Sequence, residues 1–373
     1  MINWGESVKM KKILPMCVPI NACYPVISQT SGILFADSLI HDWLMNHFIQ
    51  VFEVDQNTHA IDYYDYSAEG NPFLSYNEID YSFICKNWAD LTSFIESAIN
   101  DNYYIRIFVN ISKLEVYHSN RNNYHDLLIY GYDSDEGILF IADHFSGGKF
   151  MLQTCSYREM NRATFCFESQ EHLQPAFLSS VQMIKKECDF MRLRYSMYSP
   201  EQMDYILTFN TNRIYYSLLC YLEGKPVEGW FTRGRAMDCH LEKGHHWGIQ
   251  CYDVLQQNID KMEKTGKGGP FDRQSFHVMA NHKTVMIERL KTLQQRYKAL
   301  DWSVHITNYI ELEIILKRVT MKFMKCQIHL KHNTNKNLDM CKYLREEVII
   351  AKKKDYDSTT KLLRQLSNIR RTV

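Results

Sequence analysis

Residues 124–143 read YHDLLIYGYDSDEGILFIAD, and no other stretch of the chain says as much about its architecture. Two β-rich runs, 124–132 and 137–143, flank Asp133-Ser134-Asp135-Glu136, a polar loop of a length common in hairpins. In an antiparallel pair the numbers of opposed residues keep a nearly constant sum. Pairing Tyr132 with Gly137 makes His125 face position 144 and lie beside Asp143. A histidine entering one strand and an aspartate leaving the next are thus expected at one end of a sheet. An aspartate there accepts from one imidazole nitrogen, sets the tautomer and leaves the other nitrogen free as a base.

Upstream, Pro15, Pro19 and Pro25 break residues 1–25 into extended chain. From Val26 apolar residues recur at helical spacing through Leu34, Leu39, Trp43 and Phe48, so a buried helix is expected over 26–49, with Pro25 suited to its first position. Cys23 stands two residues before that proline. A thiol at a helix start feels the positive end of the macrodipole, which favours thiolate, the form needed for acyl transfer beside an imidazolium. Cys23, His125 and Asp143 are therefore the candidate nucleophile, base and orienting acid. A single cysteine is more often a small core residue, and the chain has 11 of them. Cys17 is the obvious rival, but it sits between two prolines with no helix start beside it.

The flanks of the hairpin read as a helix over 86–100, a strand over 103–110, and short strands at 149–154 and 163–167. After Pro175 the pattern turns helical, over 177–196, 201–222, 246–263, 275–299, 304–331 and 337–369, with a firm break at Gly266–Pro270. The expected class is α+β, a helix packed on an antiparallel sheet in residues 1–172, followed by a helical C-terminal domain in 173–373.

The 373 residues, 45% hydrophobic and 13% aromatic, exclude a mainly disordered chain. Lys plus Arg equals Asp plus Glu at 43 each, yet residues 1–172 carry a net charge of −12 and 173–373 one of +12. Opposite halves suggest two functional surfaces. The cysteines form no C-x-x-C pair, as expected of a reduced cytoplasmic protein. No apolar run reaches the length of a membrane span. Ile20-Asn21-Ala22-Cys23 faintly resembles a lipoprotein cleavage site, but the apolar stretch before it is eight residues, 13–20, holding two prolines.

Other clusters have bland readings. Cys239-His240 with His245-His246 fits no standard zinc spacing and reads as a polar loop, so no metal is expected. Tyr63, Tyr64, Tyr66, Tyr76 and Tyr81 either line a cleft or pack under a long loop. The basic helices of 304–369 read as solvated faces rather than a nucleic-acid surface.

The hairpin from His125 through Gly131 to Asp143 resembles the histidine–aspartate hairpin of papain-like, C39-type cysteine peptidases. Leu14-Pro15 and Asn21-Ala22-Cys23-Tyr24 make the chain more similar to proteins with a butirosin-biosynthesis-H-type N-terminal domain. Gly248-Ile-Gln-Cys-Tyr252-Asp, Asp272-Arg273-Gln-Ser-Phe276-His277, and His282-Lys283 with Arg289-Leu290 resemble segments of the same proteins. The resemblance implies a papain-like fold and transfer of an acyl group from a carrier-protein thioester, through an acyl-cysteine, to an amine; in related amide synthases of polythioamide assembly the amine is a diamine. It implies an acidic carrier protein as partner, phosphopantetheine arriving on that carrier, and no cofactor of the chain's own. The chain departs from papain-like enzymes in having Cys17 where their oxyanion-hole glutamine stands. The backbone N–H of Cys23 and the Asn21 side chain are the expected oxyanion donors, with Tyr24 beside them. The same triad also suits a peptidase or amidase, and a carrier-binding scaffold without catalysis is a third reading.

Overall fold

The computed structural model describes residues 10–64, 73–164, 180–186, 208–227, 245–265, 270–329 and 335–372. The chain divides into two compact units, one of residues 1–38 and 71–190, the other of 39–70 and 191–373. This division is not a single cut after residue 172: of the described residues, 39–64 go with the helical unit and 180–186 with the sheet unit.

Among the described residues the first unit is built on a seven-stranded antiparallel sheet. Its strands are β1 (Lys11–Ile13), β4 (Leu74–Asp80), β5 (Tyr103–Asn110), β6 (Tyr124–Asp133), β7 (Ile138–His144), β8 (Phe150–Ser156) and β9 (Ser180–Lys186). β2 (Val51–Asp55) and β3 (Ala60–Tyr63) form a separate hairpin in the second unit. The main sheet runs β4-β9-β5-β6-β7-β8, and β1 pairs with the last residues of β6, beyond the point where β5 stops. The strand over 103–110 and the hairpin lie where the sequence puts them. Ile105, Ile107, Leu127, Ile129 and Ile141 are buried on one face, which packs on α4 (Leu91–Asn100).

Four local expectations need correction. The helix expected over 26–49 ends early: α1 is Pro25–Phe35, and a 3-10 turn at Ser38–Ile40 leads into α2, His41–Asn46. The expected apolar pattern runs across the boundary between the two compact units, which falls between residues 38 and 39. Leu39 is 86% exposed, and Asp37, just past α1, forms an ion pair with Lys186 of β9. The helix expected over 86–100 is two, α3 (Tyr81–Asn87) and α4, because Asp90 caps the second through Ser93 N at 2.7 Å. Residues 157–163 form α5, opened by a Ser156/Glu159 capping box, where a strand was expected from 163; residues 165–167 lie outside the described residues. Within the helix expected over 177–196, residues 180–186 are instead β9, paired with both β4 and β5; the rest lies outside the described residues.

Among the described residues the second unit holds α2 and five further helices: α6 (Thr211–Glu223), α7 (Cys251–Thr265), α8 (Pro270–Arg296), α9 (Ser303–His329) and α10 (Asn335–Thr372). Residues 208–210 precede α6 rather than belonging to it, with Asn210 as its cap. Pro270 occupies the first position of α8, so the Gly-Pro break before it is a helix start. α10 packs along α9, α7 and α6. The core of this unit contains an ion pair, Lys283 with Asp355, both wholly buried.

Candidate functional site

β6 and β7 bring His125 and Asp143 together, through a register different from the expected one. Tyr132 pairs with Leu139, not Gly137, and a bulge between Ile129 and Gly131 then shifts the ladder to Ile129 opposite Ile141. Without the bulge, His125 and Asp143 would point to opposite faces of the sheet, because side chains alternate. With Tyr130 as the extra residue, the continued register sets Asp143 opposite Leu127, so His125, two residues earlier, shares its face. Gly131 next to the bulge has no room for a side chain: a Cβ there would stand 2.7 Å from the Lys12 carbonyl oxygen and 2.9 Å from the Ile13 Cα.

The result is a hydrogen bond of 2.6 Å from His125 Nδ1 to Asp143 Oδ2. A carboxylate only accepts, so Nδ1 carries the proton and Nε2 is the free position of the neutral ring. Asp143 is fully buried, whereas His125 keeps 32% of its side chain exposed. Burial disfavours the charged ring, but the hydrogen bond and charge of Asp143, followed by the charge of Asp126, outweigh it and raise the His125 pKa to about 9. Asp126 lies 4.0 Å from His125 Nδ1, and burial followed by the charge of Asp143 raises its own pKa.

A residue that no sequence pattern singles out completes this arrangement. Tyr117, from a 3-10 turn after β5, donates its hydroxyl to Asp143 Oδ2, the oxygen that His125 also uses. Burial and the Asp143 charge raise its pKa, so the hydroxyl stays protonated.

Cys23 is buried and precedes α1, with Tyr24 as the extended N-cap residue. α1 packs on β6 and β7. Gln29 Nε2 donates to the Asp126 carbonyl at 3.2 Å, and Gly32, three residues on, accepts from Cys17 N, while Leu14 N reaches the Tyr130 carbonyl. α1 therefore runs along β6 with its start toward the Tyr124 end, the end that holds His125 and Asp143. It crosses the face of Arg106 and Leu128, since Gln29 and Thr30 both accept from the Arg106 guanidinium. The register assigns His125 and Asp143 to the other face, so any approach of Cys23 to them is at the strand ends. Gly32 is a packing requirement: a Cβ there would meet Met16 and the Cys17 carbonyl oxygen, the latter at 2.8 Å.

The expected oxyanion donors divide. Cys23 N–H is not free, because it donates to the Asn21 carbonyl at 3.0 Å. The Asn21 side chain is wholly buried, and neither its oxygen nor its nitrogen has a hydrogen-bond partner among the described residues. A buried amide without partners is costly, and a ligand oxygen accepting from Nδ2 would relieve part of that cost. The Tyr24 carbonyl accepts from Ser28 N and Oγ, and its side chain caps nothing. The rival thiol, Cys17, donates to the Gly32 carbonyl at 3.5 Å, and burial raises its pKa, the wrong direction for a nucleophile.

The other clusters have structural partners. His245 and His246 bind Glu53, through its carbonyl and its carboxylate, at 2.7 and 2.6 Å; Cys239 and His240 lie outside the described residues. Among the described residues no group of three His, Cys, Asp or Glu side chains is placed to hold a metal ion. Tyr63 and Tyr64 belong to the second unit and Tyr76 and Tyr81 to the first; Tyr66 lies outside the described residues. No helix among the described residues is long and apolar enough to cross a membrane. No family model matches the chain, and no curated protein matches it.

Proposed function

We propose that the chain is a cysteine-dependent acyltransferase with a papain-like catalytic unit, which takes an acyl group from a carrier-protein thioester and passes it to an amine. The observation that carries this reading is the His125–Asp143 hydrogen bond of 2.6 Å, with the imidazole partly exposed and its carboxylate buried. The start of α1 at the same end of the sheet, with Cys23 upstream of it and Asn21 unpartnered, supports it.

In this mechanism His125 takes the proton of Cys23, a transfer favoured by the raised pKa of the ring. Cys23 Sγ attacks the thioester carbonyl carbon; the bond to the carrier thiol breaks, and His125 returns its proton to the departing sulfur. The amine then attacks the acyl-cysteine, loses a proton to His125 Nε2, and expels Cys23 Sγ, which takes that proton back. Asp143 keeps the imidazole in the required tautomer throughout. Asn21 Nδ2 is the donor for the carbonyl oxygen as it gains charge.

Intact-protein mass spectrometry after incubation with acyl-carrier thioesters tests the reading. An acyl adduct on Cys23, lost in Cys23→Ala, retained in Cys17→Ala and discharged by amines, is the expected result. Discharge by water as fast as by amine would make the chain a peptidase or amidase. Product formation surviving Cys23→Ala would remove the triad altogether.

A further inference from the structure

Asp143 has two donors, both on Oδ2, while its Oδ1 is buried without a hydrogen-bond partner. Tyr117 is therefore the one group besides His125 that hydrogen-bonds this carboxylate among the described residues. The turn that presents it is firmly held. Asn110, at the end of β5, accepts from Ser112 N at 3.1 Å, Ile111 N donates to the Asn123 carbonyl at 2.9 Å, and Tyr117 N donates to the Leu114 carbonyl. The turn closes with His118 in the left-handed region at φ 47°, an unfavourable backbone for a residue with a side chain. The Tyr117 ring stands edge-on to Phe145 at 5.0 Å and to the His125 ring at 6.2 Å.

We propose that Tyr117 is a positioning residue of this site: its hydroxyl fixes the Asp143 carboxylate and draws off part of the acceptor strength that Oδ2 offers to His125. This deepens the acyltransfer reading, because the proton that His125 takes from Cys23 must next be given to the departing thiol, and a ring held too tightly as imidazolium returns it slowly. Tyr117 sets the pH at which His125 gives up its proton. Among the described residues the other charged group acting on that ring is Asp126 on its own strand, 4.0 Å from Nδ1, while His144 on β7 lies 3.9 Å from Asp143 Oδ1. The residue opposite on β5 is Val109, which carries no charge.

The test is an NMR titration of the His125 ring in the full-length protein, with the signal assigned by its loss in His125→Gln. Tyr117→Phe keeps the ring and removes the donor. Its expected effect is an upward move of the His125 midpoint by about 0.5–1 pH, the equivalent of one hydrogen bond. In an Asp143→Asn background the same substitution should leave the midpoint where it is, since the route through the carboxylate is gone. With substrate, kcat should fall about tenfold while KM holds. If Tyr117→Phe does not fold, 3-fluorotyrosine at position 117, a stronger donor, should move the midpoint downward. An unmoved midpoint, or an equal movement in the Asp143→Asn background, overturns the proposal. The titration needs no substrate, so a missing acyl adduct on Cys23 would sink the acyltransfer reading and leave this result standing or falling by itself.

Discussion

Asp143 in the sheet unit and Asp355 in the helical unit are both fully buried carboxylates, and each shares one oxygen between a basic side chain and tyrosine hydroxyl groups. On Asp355 Oδ2 the donors are Lys283 Nζ, Tyr221 at 2.7 Å and Tyr252 at 3.0 Å, and Thr359 Oγ1 donates to Oδ1 at 3.2 Å, all on side chains without exposure. Burial depresses the Lys283 pKa and the Asp355 charge works against that depression. Around Asp143 the basic partner is a histidine that keeps a third of its side chain in solvent. The donor chemistry is nearly the same; the difference is a path to the outside. A sealed cluster satisfies its own charges and holds helices together, whereas an open one has a nitrogen left over for a ligand.

Removing the acid or the base of each cluster should separate these roles most sharply. Asp143→Asn should leave a folded protein with turnover reduced on the order of 10³–10⁴-fold, read from kcat beside a thermal melt. Lys283→Met should do the reverse. It strands a buried charge on Asp355 and should lower unfolding free energy by about 3–5 kcal/mol in urea titrations. Equal stability losses from both substitutions would erase the distinction between site and scaffold.

A pH series sharpens the same contrast. The folded His125 pKa of about 9 lies above the ~6.5 of an unfolded histidine, so its stabilising contribution is complete below about pH 6.5, shrinks between there and 9, and is gone above. Urea midpoints of the wild type should show that decline, and those of Asp143→Asn should lack it.

Smaller effects test the backbone that places the pair. Gly131→Ala pushes a methyl group into β1 beside the bulge and should cost about 1–3 kcal/mol, with turnover falling as well because the register of β6 is disturbed. A stable Gly131→Ala protein with normal turnover would mean that the close approach of β1 does not matter. Leu39→Ser should change stability by less than about 0.5 kcal/mol, since Leu39 is 86% exposed between two elements. A large loss there would restore the continuous helix expected over 26–49.

Much of this could be read locally. The strand at 103–110 is rich in β-branched and aromatic residues, and the hairpin at 124–143 carries its own turn, so neighbours in sequence specify both. The start of α1 followed from Pro25. β9 could not be read in the same way. Its SVQMIKK has no turn signal and pairs with strands far away in sequence, so nothing local separates it from an amphipathic helix. Tyr117 was hidden for a similar reason: it lies 26 residues from Asp143, on a turn without periodicity.

By itself the sequence determined that a histidine and an aspartate end up at one end of a two-stranded ladder, because a short polar loop between β-rich runs leaves them nowhere else to go. It also placed a thiol just before a helix start. Whether the two ring-and-carboxylate partners touch was decided only in the folded sheet. Side chains alternate with a period of two, and the loop pairing alone sends His125 and Asp143 to opposite faces. One extra residue at Tyr130, held by β1 along the edge of β6 through its carbonyl and Leu14 N, turns them to the same face. That bulge depends on a strand more than a hundred residues away, and no local pattern records it.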